Sequence, residues 1–225
     1  MNDDRRKFLQ CSIGALGPLG VRARGADGGE PLAEAAHRLL RALRSPLLDT
    51  FLAAWPMSGA ERRPIEPSSL PVLRYLPGLA SGARPFCAEF AGKLQNSASR
   101  LAWRRSYTSA QVGESFLDNY GWAELVGLSG ETASEHLACG VLLLGPDTTY
   151  PPHRHEAEEV YVPLAGRALW QRGDGLFAAE AESAVIHHAP FEPHAMRTEA
   201  SPLLALYLWR SQNLAQKSQL MPAAR

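Results

Sequence analysis

The spacing of apolar residues divides the chain into a helical first part and a strand-rich second part. Between residues 31 and 55, leucines and alanines recur three and four residues apart, with arginines between them. This spacing is typical of an amphipathic helix, which we expect Pro46 to break. The pattern also predicts a short helix over residues 68–76, ending before Pro77, and another over residues 85–100. Roughly the first half of the chain that follows residue 26 is therefore predicted to be helical.

After about residue 129 the apolar segments become shorter, and Gly and Pro separate them at regular intervals. The predicted strands are residues 136–144, 158–163, 168–171, 176–179, 185–188 and 203–209. Short strands at close spacing are typical of a β-sandwich or barrel. We therefore divide the chain into a helical N-terminal region, residues 27–130, a β-barrel, residues 131–215, and a C-terminal tail, residues 216–225.

The first 26 residues have the pattern of an export signal. Arg5 and Arg6 come before an uncharged, glycine-containing stretch, residues 11–21, and a segment with small residues follows it up to Ala26. This arrangement resembles the twin-arginine signal. We expect a periplasmic protein, and a cytoplasmic one if the segment is only a basic tail.

Composition excludes several classes of protein. The 225 residues are 45% apolar and 20% charged, as in a folded domain. Lys plus Arg and Asp plus Glu number 23 each, so no basic field favours nucleic acid, and no apolar run is long enough to predict a membrane span. The cysteines form no CxxC pair, and Cys87 and Cys139 are compatible with one disulfide or two buried thiols. Exposed barrel sheets often pair, so a homodimer is our expectation for the oligomeric state.

Histidines are concentrated in one part of the predicted barrel. Five of the seven lie between residues 153 and 194, and these are His153, His155, His187, His188 and His194. Alternate residues of a strand share a face, so His153 and His155 can converge on one point, as can Glu159 and Tyr161. A turn at Glu156-Ala157 would bring the two pairs together. His187 and His188 are adjacent, so at most one of them faces inward.

Such a cluster is typical of a site for one divalent metal ion. Imidazole, carboxylate and phenol ligands suit zinc, iron, manganese or nickel, and the ligand types alone do not choose among them. The spacing His153-x-His155-x3-Glu159-x6-Gly166, with His194 further along, resembles the two metal motifs of the cupin superfamily. This resemblance implies a mainly β fold, a cupin double-stranded β-helix or jelly-roll barrel.

Several separated blocks extend the resemblance to the cupin-type dimethylsulfoniopropionate lyases. These blocks lie within residues 101–108, 116–122, 150–161 and 194–209. The resemblance implies a helical region over a small barrel, one divalent metal, and cleavage of a small-molecule substrate to acrylate and dimethyl sulfide. Carried over by position, His155, Glu159 and His194 would be metal ligands. Tyr161 and His153 would each be either a further ligand or a neighbour of the ligands.

The chemistry of this elimination requires a base. A proton alpha to the carboxylate is removed while a neutral sulfide departs from the beta carbon, and a metal stabilises the negative charge that develops. Tyr150 and Tyr161 are the candidates for the base, acting as phenolates. We prefer Tyr150, because Tyr161 shares a face with Glu159 and is better placed to touch the metal.

The cationic head of such a substrate favours aromatic faces. Trp209 is our first candidate, and Tyr107 and Tyr120 are further ones. Two other functions stay open at this point. One is a cupin metalloenzyme acting on another small carboxylate substrate, since one fold hosts many reactions. The other is a periplasmic binding protein without turnover.

Overall fold

The computed structural model describes residues 30–57 and 60–221. The predicted export signal, residues 1–26, lies outside the described residues. Among the described residues, none of the helices combines the length and the apolar character that crossing a membrane requires.

Two helices occupy the first amphipathic stretch, α1 (Leu32–Ala42) and α2 (Pro46–Leu52). The break expected at Pro46 is present. Ser45 caps α2, because its side-chain oxygen accepts a hydrogen bond from the Leu48 N–H at 3.4 Å, and Pro46 occupies the first turn, where its missing N–H costs nothing.

Four further helices complete the N-terminal region: α3 (Leu76–Gly82), α4 (Pro85–Ser97), α5 (Ser109–Val112) and α6 (Glu114–Asp118). The helix predicted over residues 68–76 is wrong in extent. A 3-10 helix spans Pro71–Tyr75, and α3 then begins at Leu76. Pro77 lies in the first turn of α3, so it starts this helix instead of ending the one before.

The strands form two sheets. The larger sheet contains β1 (Trp103–Arg104), β2 (Tyr120–Gly127), β3 (Thr132–Ala133), β4 (Leu137–Leu144), β6 (Glu158–Gly166), β9 (Ile186–His188) and β11 (Leu203–Arg210). The smaller sheet contains β5 (Thr149–Arg154), β7 (Leu169–Arg172), β8 (Ala178–Ala179), β10 (His194–Arg197) and β12 (Gln219–Leu220). Their orders are β1-β2-β4-β11-β6-β9, with β3 beside β2, and β12-β5-β10-β7-β8. All neighbours are antiparallel except β2 and β3.

The predicted boundary at residue 131 falls inside the larger sheet. β2 precedes it and pairs with β4 from Tyr120 opposite Leu144 onwards. The alternation of β2 is hidden because most of its residues on both faces are buried. Within the predicted tail, β12 pairs with β5. The paired strands of the barrel therefore begin before residue 131 and continue after residue 215, the two limits predicted from the short apolar segments.

The larger sheet is covered on both faces, which explains the uninterrupted apolar run of β4. Cys139, Val141 and Leu143 belong to one apolar cluster with the helices α1 to α4. Leu142 and Leu144 belong to a second cluster, which includes residues of both sheets. The expected mainly β fold with a helical N-terminal region is confirmed.

The two cysteines of this region are free buried thiols. Cys139 lies on β4, and Cys87 lies on α4, where its Sγ is 3.4 Å from the Ser183 Oγ. Of the two alternatives that the sequence allows, the structure has the unpaired one.

Gly166, at the end of β6, provides a test of how tightly the barrel closes. Its φ is +79°, and a Cβ there would overlap the carbonyl oxygen of Pro202. We expect Gly166→Ala to lower the free energy of unfolding by about 3 kcal/mol, through positive-φ strain plus this overlap. Gly173→Ala is the matched control, since Gly173 has φ +52° with open space around it, and we expect a loss of about 1 kcal/mol. Urea unfolding measures both, and equal losses would contradict the overlap.

Candidate metal centre and its cavity

Four buried side chains converge on one point of the barrel. His153 lies near the end of β5, His155 directly after it, Glu159 on β6 and His194 at the start of β10. One ligand atom from each lies within 4.8 Å of the others, and all four residues are buried. The structure therefore brings together all four residues that the sequence analysis proposed for the metal, including His153, which it left as either a ligand or a neighbour.

Strand pairing explains this convergence. β5 and β6 belong to different sheets, and the chain bends at Glu156 and Ala157 as it passes from one sheet to the other. β10 pairs with β5 so that His194 is directly opposite His153. Two neighbouring strands and one crossover thus place residues that are 41 positions apart at a single point.

Backbone carbonyl groups orient the three imidazole rings. The Nδ1 atoms of His153, His155 and His194 lie 2.9, 2.8 and 2.8 Å from the carbonyl oxygens of Pro151, Ala157 and Glu192. Carbonyl oxygens only accept hydrogen bonds, so each Nδ1 carries a hydrogen and each neutral ring has its lone pair on Nε2. Neutral imidazoles held by a second hydrogen bond are the usual histidine ligands of a metal. The donor set fits a divalent ion such as zinc.

The Glu159 carboxylate stays ionised although it is buried. Its Oε2 lies 2.9 Å from the His155 Nε2 and 3.1 Å from the His194 Nε2. Burial raises the pKa of Glu159, but a protonated His155, whose Nε2 then carries a hydrogen and donates to the carboxylate, outweighs it together with His194 and holds the pKa well below its usual value.

The surroundings of the site shift the pKa values of two of its histidines in opposite directions. Burial, aided by the charge of His194, lowers the pKa of His153 well below its usual value. Burial also opposes protonation of His155, but the charge and hydrogen bond of Glu159 outweigh it and raise that pKa. One carboxylate and at least one neutral imidazole are thus available at neutral pH, as metal binding requires.

Trp209 holds the other oxygen of the carboxylate. Its indole N–H donates to the Glu159 Oε1 at 2.6 Å, and the two residues are directly opposite each other on β11 and β6. The indole also lies 4.1 Å from the ring centroid of His155. Trp209 is the first candidate for substrate binding from the sequence, and the structure adds its contacts with two candidate metal ligands, Glu159 and His155.

His188 is a fourth buried histidine, beside the three of the ligand group, and the sequence assigned it no role. Its ring stacks on that of His194 at 4.1 Å between centroids, and neither ring nitrogen has a hydrogen-bond partner among the described residues. Burial lowers its pKa to about 3. Its neighbour His187 is half-buried and reaches Glu158 at 2.9 Å. The sequence did contain a signal for the burial of His188. His187 and His188 are adjacent on one strand, so only one of the two can face inward.

A cavity of about 290 Å³ opens beside Glu159. Side chains from both sheets line it, together with residues 214–218. Among the lining residues are Arg105, Ser106, Tyr120, Trp122, Glu124, Tyr150, Tyr161, Tyr207, Trp209 and Lys217. Three of the sequence-predicted aromatic residues, Tyr150, Tyr161 and Tyr120, thus share one cavity with Trp209. Tyr107 packs behind them, against Tyr150 and Phe116.

The two candidate bases occupy different strands and have different neighbours. Tyr150 on β5 stacks on His153 at 4.1 Å, and its hydroxyl oxygen lies 3.1 Å from that of Tyr107 and 3.4 Å from that of Tyr120. Tyr161 is on β6, two residues after Glu159. Burial raises the pKa of both phenols well above the usual value, and for Tyr161 the charge of Glu159 adds to this effect. Either phenolate therefore requires a nearby positive charge.

The segment of residues 214–218 covers the cavity, although its sequence carries no motif that would indicate this. Gln216 accepts a hydrogen bond from the Glu156 N–H at 2.9 Å, and the Tyr107 hydroxyl donates to the Ser218 Oγ at 3.1 Å. The first three residues of the predicted C-terminal tail, 216–218, are therefore part of the site.

Comparison with known proteins agrees with this architecture. Residues 52–205 match a family model described as dimethylsulfoniopropionate lyase. The chain is 35% identical over 108 residues to the dimethylsulfoniopropionate lyase DddQ of Ruegeria pomeroyi, covering 48% of this chain and 54% of that protein. It is 31% identical over 189 residues to DddL of Cereibacter sphaeroides, covering 82% of this chain and 75% of that protein.

One solved structure aligns with most of this chain, including the barrel and the helical region. The crystal structure of the lyase DddQ from Ruegeria pomeroyi superimposes with a TM-score of 0.76 at 28% identity, covering 86% of this chain and 96% of that one. The fold and the buried three-histidine, one-carboxylate group define a cupin-type protein. The chain belongs to the dimethylsulfoniopropionate lyase family. The alignment to DddQ spans about half the length of that curated relative, 54%.

The hydrogen bond from Trp209 to Glu159 can be tested through metal affinity. Trp209→Phe keeps an aromatic ring and removes the N–H, so we expect zinc affinity to fall by roughly 10- to 100-fold, as when a ligand loses its supporting hydrogen bond. Trp170→Phe is the matched control, because the Trp170 indole nitrogen has no hydrogen-bond partner among the described residues. Competition with a chelator measures the affinities. A Trp209→Phe affinity equal to that of Trp170→Phe would show that Glu159 needs no such support.

Proposed function

We propose that this protein is a metal-dependent lyase that cleaves dimethylsulfoniopropionate to acrylate and dimethyl sulfide by β-elimination. The observation that carries the proposal is the cavity itself, because the buried carboxylate of the four-ligand group and two buried tyrosines line the same space. Simple binding of a ligand has no use for a base beside a metal site. Membership of the lyase family supports the choice of substrate class.

The reaction requires negative charge to develop next to the substrate carboxylate. His153, His155, Glu159 and His194 would hold the divalent ion, with the imidazole rings oriented by their carbonyl partners. When bound, that ion would stabilise the developing charge on the carboxylate and favour a nearby phenolate. The remaining steps depend on residues of the chain.

Tyr150 is the residue that we propose as the base. It is not one of the four ligands, and the Tyr120 hydroxyl, 3.4 Å from its own, can donate a hydrogen bond to a phenolate. Tyr161 lies on the strand of Glu159, whose charge disfavours a second negative charge there. We assign Tyr161 to contact with the metal or the substrate carboxylate.

The sulfonium head of the substrate would lie against aromatic faces of the cavity. Trp122 and Tyr207 meet edge to face, with centroids 6.3 Å apart, and both line the space together with Trp209. A desolvated cation on such a face gains up to about 2 kcal/mol. These faces favour a substrate that carries a cationic group over a simple dicarboxylate.

The first experiment measures dimethyl sulfide released from dimethylsulfoniopropionate by the metal-loaded full chain. We expect release by the parent and none by His155→Ala, because the variant loses a metal ligand and the partner of Glu159. Metal content and circular dichroism of both proteins accompany the assay. A parent that is folded and metal-occupied but inactive would overturn this substrate and favour another small carboxylate on the same site.

Comparison of two phenylalanine variants assigns the base. Tyr150→Phe should lower kcat by roughly 10²- to 10⁴-fold, the usual contribution of a positioned base, while the metal stays bound. Because the base acts as a phenolate whose pKa burial raises, the parent kcat should rise with pH toward the alkaline range, and this rise should be lost in Tyr150→Phe. Acrylate formation at saturating substrate measures both. If Tyr161→Phe loses the pH dependence and Tyr150→Phe keeps it, the two roles are exchanged.

A further inference from the structure

The proposed elimination releases a proton that has to leave a buried residue. The base takes the alpha proton, the C–H electron pair becomes the new C=C bond, and the C–S pair leaves with sulfur as neutral dimethyl sulfide. The zwitterionic substrate thus yields acrylate, dimethyl sulfide and one proton. Tyr150 is only 4% exposed, so its hydroxyl needs a path to solvent before the next turnover.

A chain of hydroxyl groups leads outward from Tyr150. The Tyr120 hydroxyl oxygen lies 3.4 Å from that of Tyr150 and 2.9 Å from the Ser106 Oγ. Tyr120 is buried and Ser106 is exposed, so two steps connect the interior with solvent. The first step is long, as hydrogen bonds of an active site without substrate often are.

Trp122 gives this chain a direction. Its indole N–H donates to the Ser106 Oγ at 3.0 Å. A serine hydroxyl has two lone pairs and one hydrogen. With one lone pair occupied by Trp122, the other can accept from Tyr120, and the serine hydrogen is left to donate to water. The polarity required for moving a proton outward is therefore compatible with every contact that the structure shows for Ser106.

A second chain runs from Tyr150 through Tyr107 to Ser218, with both steps at 3.1 Å. It ends at a serine that is only half-buried, and no indole among the described residues donates to this serine. The exposure of Ser106 and its contact with Trp122 favour the first chain.

We propose that Tyr120 and Ser106 form a relay that passes the abstracted proton from Tyr150 to solvent, an inference that rests on the proposed lyase function. In this relay Tyr120 accepts a proton from Tyr150 as it gives its own to Ser106, and Ser106 gives its own to water. Ser106 is a positioning residue, because it acts through Tyr120 and does not touch the reacting carbon.

The test measures kcat and KM for dimethylsulfoniopropionate in dilute and in concentrated buffer that does not bind divalent metals, at constant ionic strength. In dilute buffer Ser106→Ala should lose about tenfold or more in kcat, with KM unchanged, because the proton leaves slowly. Concentrated buffer should restore kcat, since buffer molecules accept the proton directly. Ser106→Thr keeps the hydroxyl and should behave as the parent in both buffers.

Ser218→Ala is the matched control, because it removes a hydroxyl from the other chain. Its kcat should not depend on buffer concentration. A Ser106→Ala enzyme with the parent kcat, or with a lower kcat that buffer does not restore, would overturn the relay, as would buffer dependence confined to Ser218→Ala. A parent that forms no acrylate would remove the lyase function and the relay together. That result is distinct, because it appears before any variant is compared.

Discussion

The site depends on one buried charge, the carboxylate of Glu159. A carboxylate away from water is costly unless hydrogen-bonded and paired, and here three side chains share that task. His155 and His194 approach one oxygen, and Trp209 donates to the other. The three residues come from the segment after β5, from β10 and from β11, so compensation of this charge ties the two sheets together. The same contacts orient the carboxylate toward the point where a metal would bind.

The helical region shields from water the sheet that forms the back wall of the cavity. Because α1 to α4 cover the outer face of the larger sheet, β4 and β11 are apolar on both faces and exclude water from behind the site. The inner face then carries the groups that chemistry needs, among them Tyr161 on β6 and Tyr207 on β11. The proposed phenolate chemistry benefits from such surroundings, since electrostatic interactions are stronger where water is excluded.

Hydroxyl groups form the polar side of the cavity, and they belong to segments far apart in the chain. Tyr150 is in contact with Tyr107 and Tyr120, which reach Ser218 and Ser106 at the two ends of the network. The C-terminal segment lies over the cavity through polar contacts of Gln216 and Ser218 and through Leu214, which packs against the second apolar cluster. None of residues 214–218 is fully buried, so this segment is held less firmly than the sheets and can open more easily for substrate entry and product release.

The sequence alone determined the export-like N-terminal pattern, six of the twelve strands that the structure describes and the mainly β class, because these depend on local periodicity. It also indicated the four candidate ligands, through spacings that resemble the cupin metal motifs. It did not determine that β2 and β12 join the sheets, that α3 begins at the proline which resembles a helix end, or that Trp209 binds Glu159. It also did not single out His188, or the hydroxyl chain from Tyr150 to Ser106. Each of these depends on which strands are neighbours, and pairing between distant segments decides that. Local patterns record which face a residue occupies, whereas only tertiary structure decides what lies opposite that face.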